Sequence, residues 1–137
     1  MKKYVIDASV VINSLIENNR DVRFSCKKIV DYCKDPKVKV FAPDSLKQEV
    51  ANVLLMAVKD VDKARTFFDT FLDFKITYIR IDDSLLKKTL EIASAVHDTV
   101  YDATYHSLAL SRSATFLTCD QKYFERAKGW GGVKVVK

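Results

Sequence analysis

The sequence predicts an α/β fold with a mostly parallel central sheet, and three observations support this prediction. Strand-like apolar runs alternate along the chain with stretches whose apolar residues repeat at helical spacing. The first run, at residues 4–6, is short and unbroken, which is typical of a parallel strand buried on both faces. Asp7 follows that run directly, at the position where open α/β sheets bind their ligands.

Length and composition fit one soluble globular domain over residues 1–137, with no internal repeat or linker. No apolar run approaches the roughly 18 residues that a membrane-spanning helix needs, and no signal-peptide segment precedes Asp7. We therefore expect a cytoplasmic protein without a membrane partner. The net charge of +5 is a weak indication of a polyanionic partner such as nucleic acid, since many proteins carry such an excess on a solvated surface.

The three cysteines, Cys26, Cys33 and Cys119, do not predict a disulfide framework or a zinc site. Their number is odd and no C-x-x-C spacing occurs. Cys26 and Cys33 stand seven residues apart, so a helix would place them on one face. We expect both to be small core residues, because a free cysteine packs as a small hydrophobe.

The first third of the chain predicts two helices between two strands. The first helix has Ser9 as its expected N-cap, and the polar residues 18–20 end it. A second amphipathic helix is expected at about 22–33, because Pro36 disfavours helical backbone in the residue before it. The second strand is expected at 38–42.

The middle of the chain predicts a helical hairpin. The S-x-x-Q pattern at 45–48 has the form of a capping box, so a helix should begin at about Ser45. A second apolar helix follows at 64–72 after a short break. The core-facing stripe of the first helix would consist of Leu46, Val50, Val53, Leu54 and Ala57. Other apolar residues form either a contact patch or a surface that the domain covers, namely Leu55, Met56, Val58 and Phe74.

The last part of the chain continues the alternation of strands and helices. The helix that begins after Thr99 is apolar on most sides, so we expect it to be buried. The predicted order is strand 76–81, a helix after Asp82, the helix after Thr99, strand Thr115–Thr118, helix Gln121–Ala127 and strand 133–136.

Four acidic residues stand where such a fold would bring them to one edge of the sheet. Asp7 and Asp120 follow strands, and neighbouring parallel strands present their carboxyl ends at the same edge. Glu49 lies one turn into the helix after the second strand, and the right-handed crossover brings that turn to the same edge. Asp102 lies in the first turn of the helix that precedes the Asp120 strand.

Each acid also has an ordinary structural explanation. Asp7 and Asp120 could cap helices, Glu49 could be solvated, and Asp102 could complete a T-x-x-D capping box with Thr99. A shared cause explains all four together better. Clustered carboxylates are unfavourable unless a cation neutralises them, and Mg²⁺ or Mn²⁺ prefers carboxylate oxygen. Such a cation activates water and polarises a phosphodiester.

Other catalytic classes find little support in the sequence. The two histidines, His97 and His106, are expected on a helix surface or in the core. No nucleophile elbow, phosphate-binding loop, dinucleotide fingerprint or H-E-x-x-H motif occurs.

Four segments of the chain are informative together, namely YVIDASV at 4–10, APDSLKQEVAN at 42–52, YDATYHSLA at 101–109 and LTCD at 117–120. In this order they resemble the PIN domain family, and most closely its single-domain VapC-type toxin ribonucleases. The resemblance implies a three-layer α/β/α fold and a Mg²⁺- or Mn²⁺-dependent endoribonuclease. It also implies a homodimer and a small VapB-type antitoxin partner.

The resemblance further implies an acidic site of Asp7, Glu49, Asp102 and Asp120 that binds the metal and cleaves RNA. Ser9 and Thr118 match supporting hydroxyl positions in the family. Asp98 is an additional acid one turn before Asp102, and we expect it to cap the helix rather than join the site. Candidate contacts to the RNA backbone follow Asp120 and are Lys122, Arg126 and Lys128, although an ordinary solvated face explains these three cations equally well.

Three alternatives remain open from the sequence. A housekeeping RNA-processing nuclease would carry the same acids as a toxin. A receiver-type signalling domain is disfavoured, because Ala8 stands where a second acid should follow Asp7. A PIN-like module that only binds RNA or protein is disfavoured because all four acids are present.

Overall fold

A computed structural model describes residues 1–16 and 19–137, and its centre is a five-stranded sheet. All strand pairs are parallel and the order is β3-β2-β1-β4-β5, which confirms the predicted sheet. The strands are β1 Lys2–Ile6, β2 Val38–Pro43, β3 Thr77–Ile79, β4 Thr115–Thr118 and β5 Val133–Val135. Since β1 is the central strand and pairs with β2 and β4, Asp7 lies in the middle of the carboxyl edge.

Seven helices in the described residues cover the sheet and complete a three-layer α/β/α fold. They are α1 Ala8–Leu15, α2 Arg20–Asp31, α3 Leu46–Val58, α4 Val61–Leu72, α5 Asp83–Val96, α6 Val100–Ser111 and α7 Gln121–Ala127. Short 3₁₀ turns follow two of these helices, at Tyr32–Lys34 and Lys128–Trp130. No helix in the described part of the chain is long and apolar enough to cross a membrane.

The core forms where the two central strands meet α6. Val5 and Ile6 of β1 are completely buried, as an unbroken apolar run predicts. Helix α6 is buried from Ala103 to Ala109, which confirms the prediction that this helix is buried. Tyr105 of α6 stacks on Phe116 of β4 with ring centroids 5.9 Å apart. These contacts fix the start of α6, and with it Asp102, against the carboxyl edge.

The start of α1 differs from the sequence prediction. Asp7, not Ser9, is the N-cap: its backbone is extended and its carboxylate accepts a hydrogen bond from the Val10 N–H at 3.2 Å. The prediction of Ser9 was wrong because Ser9 is already the second residue of α1, whereas an N-cap precedes the helix. The helix ends at Leu15. Of the residues predicted to end it, Asn18 lies outside the described residues.

Two further boundaries differ in detail. Helix α2 begins at Arg20, two residues earlier than predicted, because the Asn19 side chain accepts from two backbone N–H groups and caps it. Helix α3 begins after Ser45 as predicted, but the Ser45 side chain makes no capping hydrogen bond. The backbone of Ser45 is already helical (φ −67°, ψ −15°), whereas a capping side chain needs an extended residue.

Helices α3 and α4 form the predicted hairpin, but the predicted stripe of α3 was only partly correct. Leu46, Val50 and Leu54 are buried, whereas Val53 and Ala57 are exposed. The surplus apolar residues are divided in the same way. Val58 and Phe74 pack against the core, while Leu55 and Met56 remain exposed. The face of α3 that packs against the core is therefore narrower than the apolar periodicity predicted.

Cys26 and Cys33 are buried and not disulfide-bonded, as predicted. The sequence did not indicate that the Cys26 Sγ lies 3.4 Å from the Cys119 Sγ. This contact joins α2 to the residue that follows β4. The hydrogen bond with the Cys119 thiol, and then burial, raise the pKa of Cys26, so this group packs as a neutral thiol.

Candidate active site at the carboxyl edge of the sheet

The four acids predicted from the sequence line one cavity of about 160 Å³. Asp7 and Glu49 are half-buried, and Asp102 and Asp120 stand at the exposed rim. The remaining walls come from strand ends, α1, α6 and α7. The full lining is Asp7, Ala8, Ser9, Glu49, Asp102, Tyr105, Phe116, Thr118, Asp120 and Tyr123. The crossovers of a parallel sheet thus gather acids that are far apart in sequence.

Two hydroxyl groups hold the Asp7 carboxylate. The Ser9 hydroxyl donates to Oδ1 at 2.5 Å, and the Thr118 hydroxyl donates to Oδ2 at 2.6 Å. Each hydroxyl also accepts from a backbone N–H, Ser9 from Cys119 at 3.0 Å and Thr118 from Asp120 at 3.1 Å. Asp7 is therefore fixed in orientation by residues of two neighbouring strand ends. Burial raises the pKa of Asp7 and these hydrogen bonds oppose the shift.

Asp120 begins α7 as its N-cap. Its Oδ1 accepts from the Tyr123 N–H at 3.0 Å, as a helix cap does. The cap explanation considered from the sequence is correct for Asp120, and it is also correct for Asp7. Both carboxylates nevertheless line the cavity, so capping and a place in the site are compatible.

Asp98, rather than Asp102, accepts the hydrogen bond from the Thr99 N–H that a T-x-x-D capping box would assign to Asp102. The Thr99 hydroxyl accepts from the Asp102 N–H at 3.1 Å, which is half of a capping box. The other half is made by Asp98, whose Oδ1 accepts from the Thr99 N–H at 2.6 Å. The Asp102 carboxylate is left at the cavity wall. Its partial burial, followed by the nearby Asp98 and Asp120 carboxylates, raises its pKa to about 7.

Glu49 enters the cavity from the first turn of α3. Burial raises its pKa, the Tyr105 hydroxyl opposes that shift, and the negative charge of Asp7 adds to it. Among the described residues no lysine or arginine forms an ion pair with any of the four acids. Three of the four carboxyl groups thus have raised pKa values and no ion pair with a described lysine or arginine, as in a site that receives positive charge.

The four carboxylates of the cavity are suitable ligands for a hard divalent cation, but they are not close enough together to bind one as they stand. In the part of the chain that the structure describes, no three acidic, histidine or cysteine side chains are close enough together to hold a metal ion as they stand. All four wall donors are carboxylates, the ligands that Mg²⁺ and Mn²⁺ prefer, and Mg²⁺ keeps several of its own waters. The Tyr105 hydroxyl in the same wall is buried without a hydrogen-bond partner among the described residues. By their chemistry the residues therefore fit a hard divalent cation.

The three predicted backbone-binding cations lie on or directly after α7 and differ in their partners. Arg126 donates to the His97 carbonyl at 3.1 Å, and Lys128 pairs with Glu125 at 2.8 Å. Lys122 is exposed and has no hydrogen bond or ion pair to another described residue. Their role with RNA remains a prediction.

The histidines have structural roles, as predicted. His106 is buried, and its Nε2 donates to the Gly131 carbonyl at 2.7 Å, because a carbonyl can only accept. Its Nδ1 therefore accepts from the Tyr123 hydroxyl at 2.9 Å. Burial lowers the pKa of His106 and favours this neutral form. His97 ends α5 in the left-handed region (φ 57°).

Sequence reasoning missed Tyr105 as a cavity residue. Tyr105 belongs to the helix that the sequence predicts to be buried, and its ring is buried as that prediction requires. The signal was its spacing: Tyr105 is three residues after Asp102 on the same helix, so both side chains lie on one face.

Comparisons with known proteins give one family and several similar structures. A sequence profile of the PIN domain matches residues 4–129. VapBC2 from Rickettsia felis, bound to a DNA fragment from its promoter, has a chain that superposes with a TM-score of 0.73 at 13% identity, over 98% of this chain and 99% of that one. A toxin-antitoxin complex from Klebsiella pneumoniae gives 0.65 at 16% identity, with 98% of each chain covered.

A third structure, PAE2754 from Pyrobaculum aerophilum, superposes with a TM-score of 0.67 at 17% identity, over 98% of this chain and 90% of that one. At these identities the superpositions establish a shared fold. A search of the curated proteins gives no match.

Proposed function

The chain belongs to the PIN domain family, and on that premise we propose that it is a divalent-metal-dependent endoribonuclease that cleaves phosphodiester bonds in RNA. PIN domains are nucleases and generally use divalent metal ions. The observation that carries the proposal is the cavity that four carboxylates line without a cationic partner among the described residues. Family membership removes the receiver-type alternative.

In this proposal Mg²⁺ or Mn²⁺ binds at the four acids. Asp7 and Asp102 would hold the ion, and Glu49 and Asp120 would complete its surroundings directly or through water. A divalent cation there stabilises charge on the phosphodiester and lowers the pKa of a water molecule. Asp7 enters this role already oriented, because the hydroxyls of Ser9 and Thr118 fix both of its oxygens.

RNA would lie across the open side of the cavity. Phosphate contacts supply affinity without reading sequence, and Lys122, Arg126 and Lys128 follow Asp120 closely enough to make them. Lys122 is the most available of the three, since Arg126 and Lys128 have partners within the chain. The net charge of +5 agrees with a polyanionic substrate.

The physiological role that we propose is that of a toxin, with residues 1–137 as one nuclease domain. Similar structures include a toxin-antitoxin complex and VapBC2, which supports a small VapB-type antitoxin as the partner. We also propose that the protein forms a homodimer. Its proposed location is the cytoplasm, where it would meet its RNA substrate. A housekeeping RNA-processing nuclease is the second candidate, because the four acids serve either role equally.

Sequencing of cellular RNA ends tests this proposal. Expression of the wild-type chain should create new RNA ends, whereas expression of the Asp7→Asn variant should not. Asp69→Asn serves as the control, because Asp69 is exposed on α4 and is not among the residues that line the cavity. Identical RNA ends with and without the wild-type chain would reject the nuclease and leave a PIN module that only binds.

A further inference from the structure

Tyr105 lines the acidic cavity and has a buried hydroxyl with no hydrogen-bond partner among the described residues. The residue is only 2% exposed, and its ring stacks on Phe116. The residue lines the cavity, and its buried hydroxyl completes no hydrogen bond with any described residue. Buried polar groups in folded proteins nearly always have partners, so an exception at a site needs an explanation.

A carboxylate close to this hydroxyl is that of Glu49. The two groups influence each other's pKa, and the hydroxyl favours the ionised form of Glu49 even though the hydrogen bond is incomplete. Burial, and then Glu49, Asp7 and Asp102, raise the pKa of Tyr105. The phenol therefore keeps its proton and can act only as a neutral donor toward a carboxylate.

Glu49 is the acid that most needs such a donor. Asp7 is held by two hydroxyls, Asp120 by a backbone N–H, and Asp102 lies against Asp98 and Thr99. Glu49 has a longer side chain than the aspartates and no completed hydrogen bond to a described residue. Without a donor, its carboxylate can point along or away from the cavity, and fixing it would cost side-chain entropy.

We propose that Tyr105 is a positioning residue for Glu49: its hydroxyl donates to the Glu49 carboxylate when the four acids close around a divalent cation. This inference rests on the proposed function, because it assumes that a cation binds in the cavity. A ring alone would satisfy the stacking on Phe116, so packing does not explain why the residue is tyrosine rather than phenylalanine.

The Tyr105→Phe variant separates the hydroxyl from the ring. The probe is Mn²⁺ alone, with free Mn²⁺ counted by electron paramagnetic resonance in the presence of the purified full chain. We expect Mn²⁺ affinity to fall about tenfold, the usual effect of one hydrogen bond to a charged group. The metal-free thermal midpoint should stay the same or rise, because the change removes a buried hydroxyl that has no partner.

Tyr123→Phe is the matched control. Tyr123 also lines the cavity, but its hydroxyl donates to His106 at 2.9 Å. This variant should lower the metal-free thermal midpoint and keep Mn²⁺ affinity. A drop in midpoint for Tyr105→Phe as large as that of Tyr123→Phe would show a structural hydroxyl and overturn the proposal.

A double variant tests whether Tyr105 acts through Glu49. In the Glu49→Gln background, Tyr105→Phe should cause little further loss of Mn²⁺ affinity, because the two changes remove the same interaction. If Tyr105→Phe lowers Mn²⁺ affinity in the Glu49→Gln background as much as it does in the wild type, the hydroxyl does not act through Glu49 and the proposal is rejected.

The proposed function and the inference about Tyr105 would be rejected by different results. If the wild-type chain binds no Mn²⁺ and cleaves no single-stranded RNA, the proposed function falls and the Tyr105 inference falls with it. If the wild type binds Mn²⁺ and cleaves RNA while Tyr105→Phe binds Mn²⁺ equally well, the inference about Tyr105 alone is rejected.

Discussion

At the scale of single residues, the Thr118 hydroxyl joins two of the four acids. It donates to Asp7 and accepts from the Asp120 N–H, and it is completely buried. Thr118→Val keeps the shape and removes both hydrogen bonds. We expect the free energy of unfolding to fall by about 1–3 kcal/mol, because the Asp120 N–H and one oxygen of the half-buried Asp7 carboxylate lose their partner.

Urea unfolding measures this loss, with Thr115→Val on the same strand as control. Thr115 makes no side-chain hydrogen bond to a described residue, so its replacement should change stability by less than about 0.5 kcal/mol. Equal stability of the two variants would contradict the role given to the Thr118 hydroxyl.

The raised pKa of Asp102 predicts a pH dependence in the metal-free protein. Its pKa moves from 3.8 to about 7 on folding, so between these values the folded state binds more protons than the unfolded state. The contribution of Asp102 to stability therefore falls as pH rises through this window. As pH rises through this range, the free energy of unfolding should fall less for the Asp102→Asn variant than for the wild type. Urea titrations with EDTA at about pH 4.5 and about pH 7.5 measure the difference, and parallel losses would contradict it.

The individual acids could be predicted because position relative to a strand end is visible in the sequence. Asp7, Glu49, Asp102 and Asp120 all reach the cavity. The partners of these acids could not be predicted in the same way. The Thr118 hydroxyl meets Asp7 across 111 residues, and no local pattern reports such a contact.

At the scale of elements, the α3–α4 hairpin depends on a narrow line of buried residues. Leu54 is 1% exposed, whereas Met56 two residues later is 68% exposed. Leu54→Ala should lower the free energy of unfolding by roughly 2–5 kcal/mol, because it leaves a cavity between packed elements. Met56→Ala should change it by less than about 0.5 kcal/mol. Chemical denaturation of both variants checks this contrast, and similar losses would mean that the hairpin packs differently.

The periodicity of apolar residues predicts where the helices and strands lie. It does not predict which residue caps a helix or which side chains are buried. Strand Thr115–Thr118 and helix Gln121–Ala127 have the predicted bounds. Ser45 precedes its helix without capping it, and Val53 is exposed despite its place in the apolar stripe. Caps depend on backbone angles, and burial depends on what packs opposite. Both are properties of the folded chain rather than of a local repeat.

At the scale of the whole molecule, the strand order creates the site. Because β1 lies between β2 and β4, the segments that follow these three strands open at one edge. They contribute Asp7, Glu49 and Asp120, and α6 adds Asp102 as it enters from the same edge. An all-parallel sheet with this order therefore gathers acids that would repel one another, and a bound cation is the compensation that we propose.

RNA cleavage in vitro by the wild type and Asp7→Asn tests this claim most directly. The wild-type chain should cleave an unstructured RNA when Mg²⁺ or Mn²⁺ is present and stop when EDTA is added. Asp7→Asn should remain folded and lose on the order of 100-fold or more in rate, since it removes a metal-binding carboxylate from the centre of the site. Asp69→Asn should cleave like the wild type. Undiminished cleavage by a folded Asp7→Asn protein would contradict the account.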